Sequence, residues 1–142
     1  YKQIAKNVAM ASRDLGSADV DVIAFGCTSC SYFTPANETI KIMQDNAKGV
    51  PALLTSDAVV KALHAVGATR VALATPRTDF VNKRETEWLM DKGFEVVSVE
   101  SLQLGSTASE RASIGHVPSK IVERLVIKIG LSLIVDASII AV

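Results

Sequence analysis

The stretch GVPALLTSDAVVKALHAVGATRVALATP, residues 49–76, contains a complete strand–helix–strand pattern. The short apolar run at residues 51–54 predicts a strand, and Thr55-Ser56-Asp57 supplies a helix cap behind it. Apolar residues then recur at helical spacing until Gly67, which ends the helix, and residues 70–75 predict a second strand. Strands joined by a helix of this length pair in parallel through right-handed crossovers, so the stretch predicts an α/β fold.

The same alternation continues toward both ends of the chain. On the N-terminal side we expect an amphipathic helix stopped by Gly16, a buried strand at residues 20–25, and a helix from Thr34-Pro35 to Gly49. The predicted C-terminal elements are a helix from about residue 78 to 92, a strand at 94–99, a surface loop at 105–115, a helix from near 118 and a last strand at 131–135.

Composition and charge exclude several classes of protein. The 142 residues are 49% hydrophobic and 21% charged, with 15 basic and 15 acidic side chains and no basic run interleaved with aromatic residues. Nucleic acid is therefore not expected as a partner, and interrupted apolar runs give no membrane span. Two cysteines make no disulfide framework, which favours a reducing, cytoplasmic location. Because the chain begins at Tyr1 and stops at Val142 within an apolar run, we expect it to be part of something longer.

Ligands of open parallel sheets bind beyond the carboxyl ends of the strands. Cys27, Thr75 and Ala137 are all expected at or just past such ends. A cysteine that leaves a strand and faces the backbone N–H groups of a following turn has a stabilised, nucleophilic thiolate. Cys27 fits this description, although a small buried cysteine with a purely structural role is equally compatible with the sequence.

Neighbouring polar residues predict a site for a small acid. The hydroxyls of Thr28 and Ser29, with the loop amides around them, can hold a carboxylate. Thr75 and Arg77 follow the predicted third strand, where Arg77 either reaches an anionic substrate or is an ordinary exposed loop arginine.

The Cys27-Thr28-Ser29-Cys30 spacing permits a different chemistry, a dithiol redox centre. The thioredoxin-like context of such centres is missing around it. The case for a zinc site is weaker still. Only His64 and His116 are available as further ligands, and their spacing from the two cysteines matches no recognisable zinc motif.

Three motifs resemble the aspartate/glutamate racemase superfamily, in its maleate cis-trans isomerase and arylmalonate decarboxylase branch. They are FGCTSCSYF at 25–33, the stretch at 49–76, and DFVN at 79–82, in the order and separation of the family. The resemblance implies a cofactor-free enzyme built as a parallel-sheet three-layer sandwich of two flavodoxin-like half-domains. Residues 1–54 would be the end of the first half-domain and residues 55–142 most of an incomplete second half-domain, with the active site in the cleft between the two halves.

The resemblance also assigns roles to residues and exposes departures. Cys27 matches one of two cysteines that face each other across the substrate, and Thr28 and Ser29 match residues that bind its carboxylate. Cys30 replaces a small or aliphatic residue, and Arg77 stands where a tyrosine commonly follows Thr-Pro. Ala137 is the expected position of the second cysteine, whose absence would rule out racemisation by two thiols.

The resulting hypothesis is a cofactor-independent isomerase of a small dicarboxylate, of the maleate-to-fumarate type. Cys27 is the predicted nucleophile, with Thr28, Ser29, Thr75 and Arg77 as predicted substrate-binding residues. A related racemase or an arylmalonate-type decarboxylase is the alternative within the family; decarboxylation ranks lower because such enzymes keep the second cysteine and lack the first. A non-catalytic carboxylate-binding module and a dithiol redox protein remain open, as does a homo-oligomer.

Overall fold

The structure is a computed structural model that describes residues 2–130 and 137–140. The chain divides into two compact units, Tyr1–Lys61 and Ala62–Val142. The half-domain boundary is predicted after residue 54, whereas the division between the two units follows Lys61. That these units are the two halves of a larger enzyme stays a prediction.

The first unit contains a two-stranded parallel sheet covered by helices. Ile23 pairs with Ala52 and Phe25 with Leu54, so both strands end at the same edge of the sheet. The elements are α1 (Lys2–Gly16), β1 (Ile23–Phe25), α2 (Thr28–Ser31), α3 (Ala36–Asn46) and β2 (Ala52–Leu54), followed by α4 (Thr55–Ala65), whose last turn belongs to the second unit.

The core of the first unit forms where α1 and α3 pack beside the strands. The buried apolar residues are Val8, Ile23, Met43, Ala47 and Leu54. The two helices approach very closely at Gly16, where an added Cβ would lie 2.6 Å from the Cα of Ala47. Glycine is therefore required at this position for a steric reason, in addition to ending the helix.

The second unit contains a three-stranded parallel sheet in the order β4-β3-β5. The central strand is buried at all but its first residue, as expected of a strand with a neighbour on each side and helices on its faces. The elements are β3 (Arg70–Arg77), α5 (Asp79–Asp91), β4 (Glu95–Leu104), α6 (Ala108–Ser113), a short 3-10 helix (Ile114–His116), α7 (Ser119–Gly130) and β5 (Ala137–Ile140).

The predicted α/β fold with parallel strands is confirmed, and the differences are local. The strand expected at 94–99 continues to Leu104, the loop after Cys27 contains the helical turn α2, and α3 begins at Ala36 with Pro35 as its N-cap. The last strand expected at 131–135 lies outside the described residues. No helix in the described part of the chain is long and apolar enough to cross a bilayer.

The polar segment predicted as a loop at 105–115 contains α6, which begins with a capping box. Thr107 accepts a hydrogen bond from the backbone N–H of Glu110, and the Glu110 carboxylate accepts from the backbone N–H of Thr107. The same carboxylate oxygen also accepts from the N–H groups of Gly105 and Ser106, at 3.2 and 2.8 Å. These bonds satisfy one donor of the first turn and three donors of the segment in front of it, which stabilises a short helix in a polar sequence.

Ala137 does not lie where the sequence analysis expects it. It is the first residue of β5 and pairs with Val71, near the beginning of β3. The carboxyl end of β5 therefore comes after Ala137, so a cysteine that follows this strand cannot align with it. The prediction about Ala137 is wrong, so the alanine at this position is no evidence against two-thiol chemistry.

Candidate active site at the end of β1

Cys27 lies at the carboxyl edge of the first sheet. β1 ends at Phe25, and after Gly26 the chain enters α2 with Cys27 as the N-cap, at φ −96° and ψ 93°. The neighbouring strand β2 ends opposite Phe25, and the hydroxyl of Thr55 donates to the Phe25 carbonyl at 2.9 Å. The Cys27 turn and the beginning of α4 therefore share one edge of the sheet within the first unit.

The side chains of the turn bring two thiols and a hydroxyl together. The Sγ atom of Cys27 lies 2.9 Å from the Sγ atom of Cys30 and 3.6 Å from the Oγ atom of Ser29. Both cysteines are thiols and both are partly exposed. Cys27 is thus not the fully buried hydrophobe that the structural alternative describes, and a small molecule can approach it.

Hydroxyl groups hold the backbone of this turn in place. Ser31 donates to the carbonyl of Cys27 at 3.2 Å, and Thr34 donates to the carbonyl of Cys30 at 3.0 Å. Serine and threonine readily donate to a carbonyl four residues earlier. These bonds compete with the backbone hydrogen bonds that would extend the helix. The sequence CTSCSYFT therefore favours a single fixed turn that begins at Cys27.

Thr28 and Ser29 are the first two residues of α2 and are both partly exposed. The structure thus brings Cys27, Thr28 and Ser29 together, as the sequence predicts. Whether the two hydroxyl residues bind a carboxylate stays a prediction.

A cavity of about 340 Å³ in the first unit adjoins the thiols. Its wall is mostly apolar and comes from α1 and β1, with Ile4, Val8, Leu15 and Phe25 among its lining residues. Cys27 and Cys30 also line it. A hydrocarbon group bound here would lie beside the two thiols.

Thr75 and Arg77 belong to the second unit and lie within a buried polar network. Thr75 is 0% exposed, its hydroxyl donates to Oδ1 of Asn82 at 2.6 Å, and it accepts from the backbone N–H of Arg77 at 3.2 Å. The Asn82 amide and the Ser101 hydroxyl both donate to the carbonyl of Arg77. The network fixes the end of β3 against α5 and β4.

Arg77 is the last residue of β3 and is 9% exposed. Its Nη1 atom lies 3.6 Å from Oε2 of Glu85, a residue that is 1% exposed. The alternative of an exposed loop arginine is wrong, because the strand continues two residues beyond its predicted end at Thr75. Substrate contact by Thr75 or Arg77 stays a prediction.

Neither Asn82 nor Glu85 is among the predicted site residues, although the sequence contains a hint of their burial. On α5 the buried positions are Asn82, Glu85 and Leu89, spaced three and four residues apart. This is the spacing of a helix face that points inward. A polar residue at such a position signals a buried hydrogen bond or ion pair.

The two histidines are both exposed. The ring of His64 stacks on Phe94 with 4.8 Å between centroids, and His116 ends the 3-10 helix. Within residues 2–130 and 137–140 there is no group of three or more histidine, cysteine, aspartate or glutamate residues that could hold a metal ion.

Residues 1–135 match the sequence model of the arylmalonate decarboxylase family. The chain belongs to this family. Arylmalonate decarboxylase of Bordetella bronchiseptica is 31% identical over 104 residues, which cover 72% of this chain and 43% of that enzyme. The predicted resemblance to the maleate isomerase and arylmalonate decarboxylase branch is thereby confirmed, and the relatives are enzymes.

Solved structures of the same branch share the fold. A liganded mutant of arylmalonate decarboxylase, with one glycine changed to cysteine and one cysteine to serine, has a TM-score of 0.85 and 25% identity; the match covers 99% of this chain and 60% of that one. A Nocardia farcinica maleate cis-trans isomerase mutant with a covalently bound succinylcysteine intermediate has a TM-score of 0.78, 20% identity, and coverage of 92% and 54%. The chain therefore spans about half the length of these relatives.

Proposed function

We propose that this chain belongs to an enzyme that isomerises a small dicarboxylate, of the maleate-to-fumarate type, with Cys27 as the nucleophile. The observation that carries the proposal is the partly exposed thiol at the carboxyl end of β1, held by a fixed turn with Ser29 Oγ 3.6 Å away. A cis-alkene diacid offers an electrophilic carbon beside each carboxylate. A thiolate is the side chain best suited to add to it reversibly.

The reaction balances without any added group. The Cys27 thiolate adds to one alkene carbon, and the electron pair of the double bond moves toward the neighbouring carboxylate as an enediolate-like charge. The bond between the two carbons is now single and rotates. Return of the electron pair expels the thiolate and leaves the trans alkene, so the enzyme is restored and no cofactor is needed.

Thr28 and Ser29 are assigned to the carboxylate that accepts this charge. Both are the first residues of α2, and the backbone N–H groups at the start of a helix point toward a site where an anion is stabilised. Donors aimed at charge that develops during the reaction lower its barrier. We keep Thr75 and Arg77 as proposed substrate-binding residues of second rank, because both are engaged in the buried network. A cytoplasmic location also remains part of the proposal, since two thiols in one turn suit a reducing compartment.

The succinylcysteine in the Nocardia farcinica enzyme supports the covalent step. Succinyl is what maleate becomes when a cysteine sulfur adds to its double bond and the other carbon takes up a proton. That enzyme acts on maleate, and its likeness to this chain supports a common fold. A maleate-type substrate is therefore the first to test.

The test is Cys27→Ala in the whole protein, with conversion of maleate to fumarate followed by proton NMR. We expect turnover to fall by about 10³-fold or more, because the group that forms the covalent bond is gone. Circular dichroism and the thermal midpoint should stay close to the parent values. The matched control Cys30→Ala changes the same kind of residue three positions along and should retain turnover.

Equal loss of turnover in both variants would contradict the assignment and favour dithiol chemistry. Retained turnover in Cys27→Ala would remove Cys27 from the reaction. Modification of Cys27 by a small thiol reagent gives a second readout. Maleate should slow it if the thiol lies in a dicarboxylate pocket.

Decarboxylation of an aryl-substituted malonate is the second candidate. It is favoured by the family match and by the apolar cavity beside Cys27. An arylmalonate has an aryl group that can fill this cavity, whereas maleate has only hydrogen atoms on its alkene carbons. Release of carbon dioxide from phenylmalonate, with solvent deuterium entering the α-carbon, would identify it. Deuterium exchange without carbon dioxide release would identify a racemase instead.

A further inference from the structure

Cys30 has no part in the proposed reaction, yet its thiol lies 2.9 Å from that of Cys27. Cys27 is the N-cap of α2 and Cys30 is its third residue. Side chains at these two positions lie close together, because in a capping box each of them can reach the backbone N–H of the other residue. The geometry of the turn therefore holds the second thiol beside the first.

The separation is short enough for the two sulfurs to react with each other. Reacting atoms about 3 to 3.5 Å apart are already in a near-attack arrangement, which greatly accelerates a step between them. A disulfide requires about 2.05 Å between sulfurs, so closing the bond needs a displacement of under about 1 Å. Both residues are partly exposed, so a small oxidant can reach them.

We propose that Cys27 and Cys30 form a reversible oxidation site whose substrate is hydrogen peroxide. The thiolate of Cys27 attacks one peroxide oxygen, the O–O bond breaks, and water leaves after a proton is taken up, giving a sulfenic acid. The thiol of Cys30 then attacks the Cys27 sulfur, the S–O bond breaks, and a second water leaves. The two thiols lose two electrons and two hydrogens, and the peroxide is reduced to two waters.

The disulfide prevents the reaction of Cys27 with a substrate, and it also protects the Cys27 sulfur from further oxidation. A sulfenic acid without a neighbouring thiol is oxidised further to sulfinic acid, which thiol reductants do not reverse. Cys30 competes with that second oxidation because it is already in place. Formation of the disulfide does not depend on the proposed isomerase; only its consequence, a reversible loss of turnover, rests on the proposed function.

The test compares the parent protein with Cys30→Ser after treatment with hydrogen peroxide. Trypsin cuts after Arg13 and Lys41, so one peptide, residues 14–41, contains both cysteines. In the parent this peptide should become lighter by two hydrogens and return fully to its original mass and thiol content with dithiothreitol. In Cys30→Ser the peptide should gain two oxygens at residue 27 and stay at that mass after dithiothreitol.

Each outcome decides the proposal. A parent peptide that gains oxygens as the variant does, or a disulfide that links two chains, would overturn it. A disulfide that forms and reverses while maleate is never turned over would leave the oxidation site standing and contradict the proposed function alone. Where turnover is present, peroxide should abolish it in both proteins, and dithiothreitol should restore it only in the parent.

Discussion

The carboxyl ends of β1 and β3 carry short polar sequences that look interchangeable, GCTSC and ATPRT, but their surroundings differ completely. At the end of β1 the thiols and hydroxyls are partly exposed and their backbone is held by Ser31 and Thr34. At the end of β3, Thr75 is fully buried and the side chain of Arg77 faces a buried glutamate. A side chain at the end of a strand is available for reaction with a small molecule only where it stays accessible, as it does at the end of β1.

We therefore expect the end of β3 to contribute to stability and the end of β1 to contribute to chemistry. A buried polar group must keep its partners, because leaving one unsatisfied costs about 1–3 kcal/mol, and more for a charge. Changes at the end of β3 should therefore reduce stability. Changes at the end of β1 should alter mainly chemistry, with small effects on stability.

Glu85→Ala should have the largest effect on stability. It leaves the buried Arg77 guanidinium without its carboxylate, and breaking a buried pair from one side costs about 3–5 kcal/mol. Urea unfolding can be followed by the fluorescence of Trp88, the single tryptophan, which lies on the same helix. The free energy of unfolding should fall by that amount.

Glu87→Ala is the control on the same helix. Glu87 pairs with Arg84 at 2.9 Å, but both side chains are nearly half exposed. Exposed pairs contribute about 0–1 kcal/mol, so this variant should unfold almost as the parent does. Equal losses in the two variants would mean that the β3 network is no more structural than the surface.

Thr75→Val should have an intermediate effect. Valine keeps the shape but removes the hydroxyl that joins Asn82 to the backbone of Arg77, so the free energy of unfolding should fall by about 1–3 kcal/mol. Thr75→Ser retains the hydroxyl and should recover most of the loss that the hydrogen bonds account for. A loss close to zero in Thr75→Val would mean that the hydrogen bonds of this hydroxyl contribute little to stability.

Ser31→Ala should have the smallest effect of the three. It removes one hydrogen bond to the Cys27 carbonyl, worth about 0.5–1.5 kcal/mol, from a turn that keeps its other bonds. Circular dichroism during urea unfolding measures the loss. Ser113→Ala removes a similar but exposed bond to the Glu110 carbonyl and serves as the control, with a change close to zero. A larger loss from Ser113→Ala would invert the expected dependence on burial.

The sequence predicted the alternation of strands and helices because apolar periodicity and glycine stops are local properties. It also predicted Cys27, Thr28 and Ser29 as neighbours, since adjacent residues at the end of a strand share an edge by necessity. The helix within residues 105–115 was harder to predict, because a polar segment lacks apolar periodicity. The only local signal for this helix that we identify is the capping signature Thr107-x-x-Glu110.

Burial of Arg77 and the position of Ala137 depend on more distant parts of the chain. Arg77 is covered because Glu85 and Asn82 face inward from α5, which composition alone does not reveal. Ala137 was misplaced because the beginning of a strand in an apolar run has no local marker. Its register against Val71 is fixed by pairing across the sheet.

The carboxylate of Glu110 shows what an occupied anion site looks like in this chain. It accepts from three consecutive backbone N–H groups at residues 105–107, so the chain supplies its own anion. Added phosphate or chloride would have to displace this carboxylate to reach these three donors. Glu110→Gln would replace this carboxylate by a neutral amide. The stability of the start of α6 would then depend on the anions of the buffer, because they would supply the negative charge that the side chain has lost.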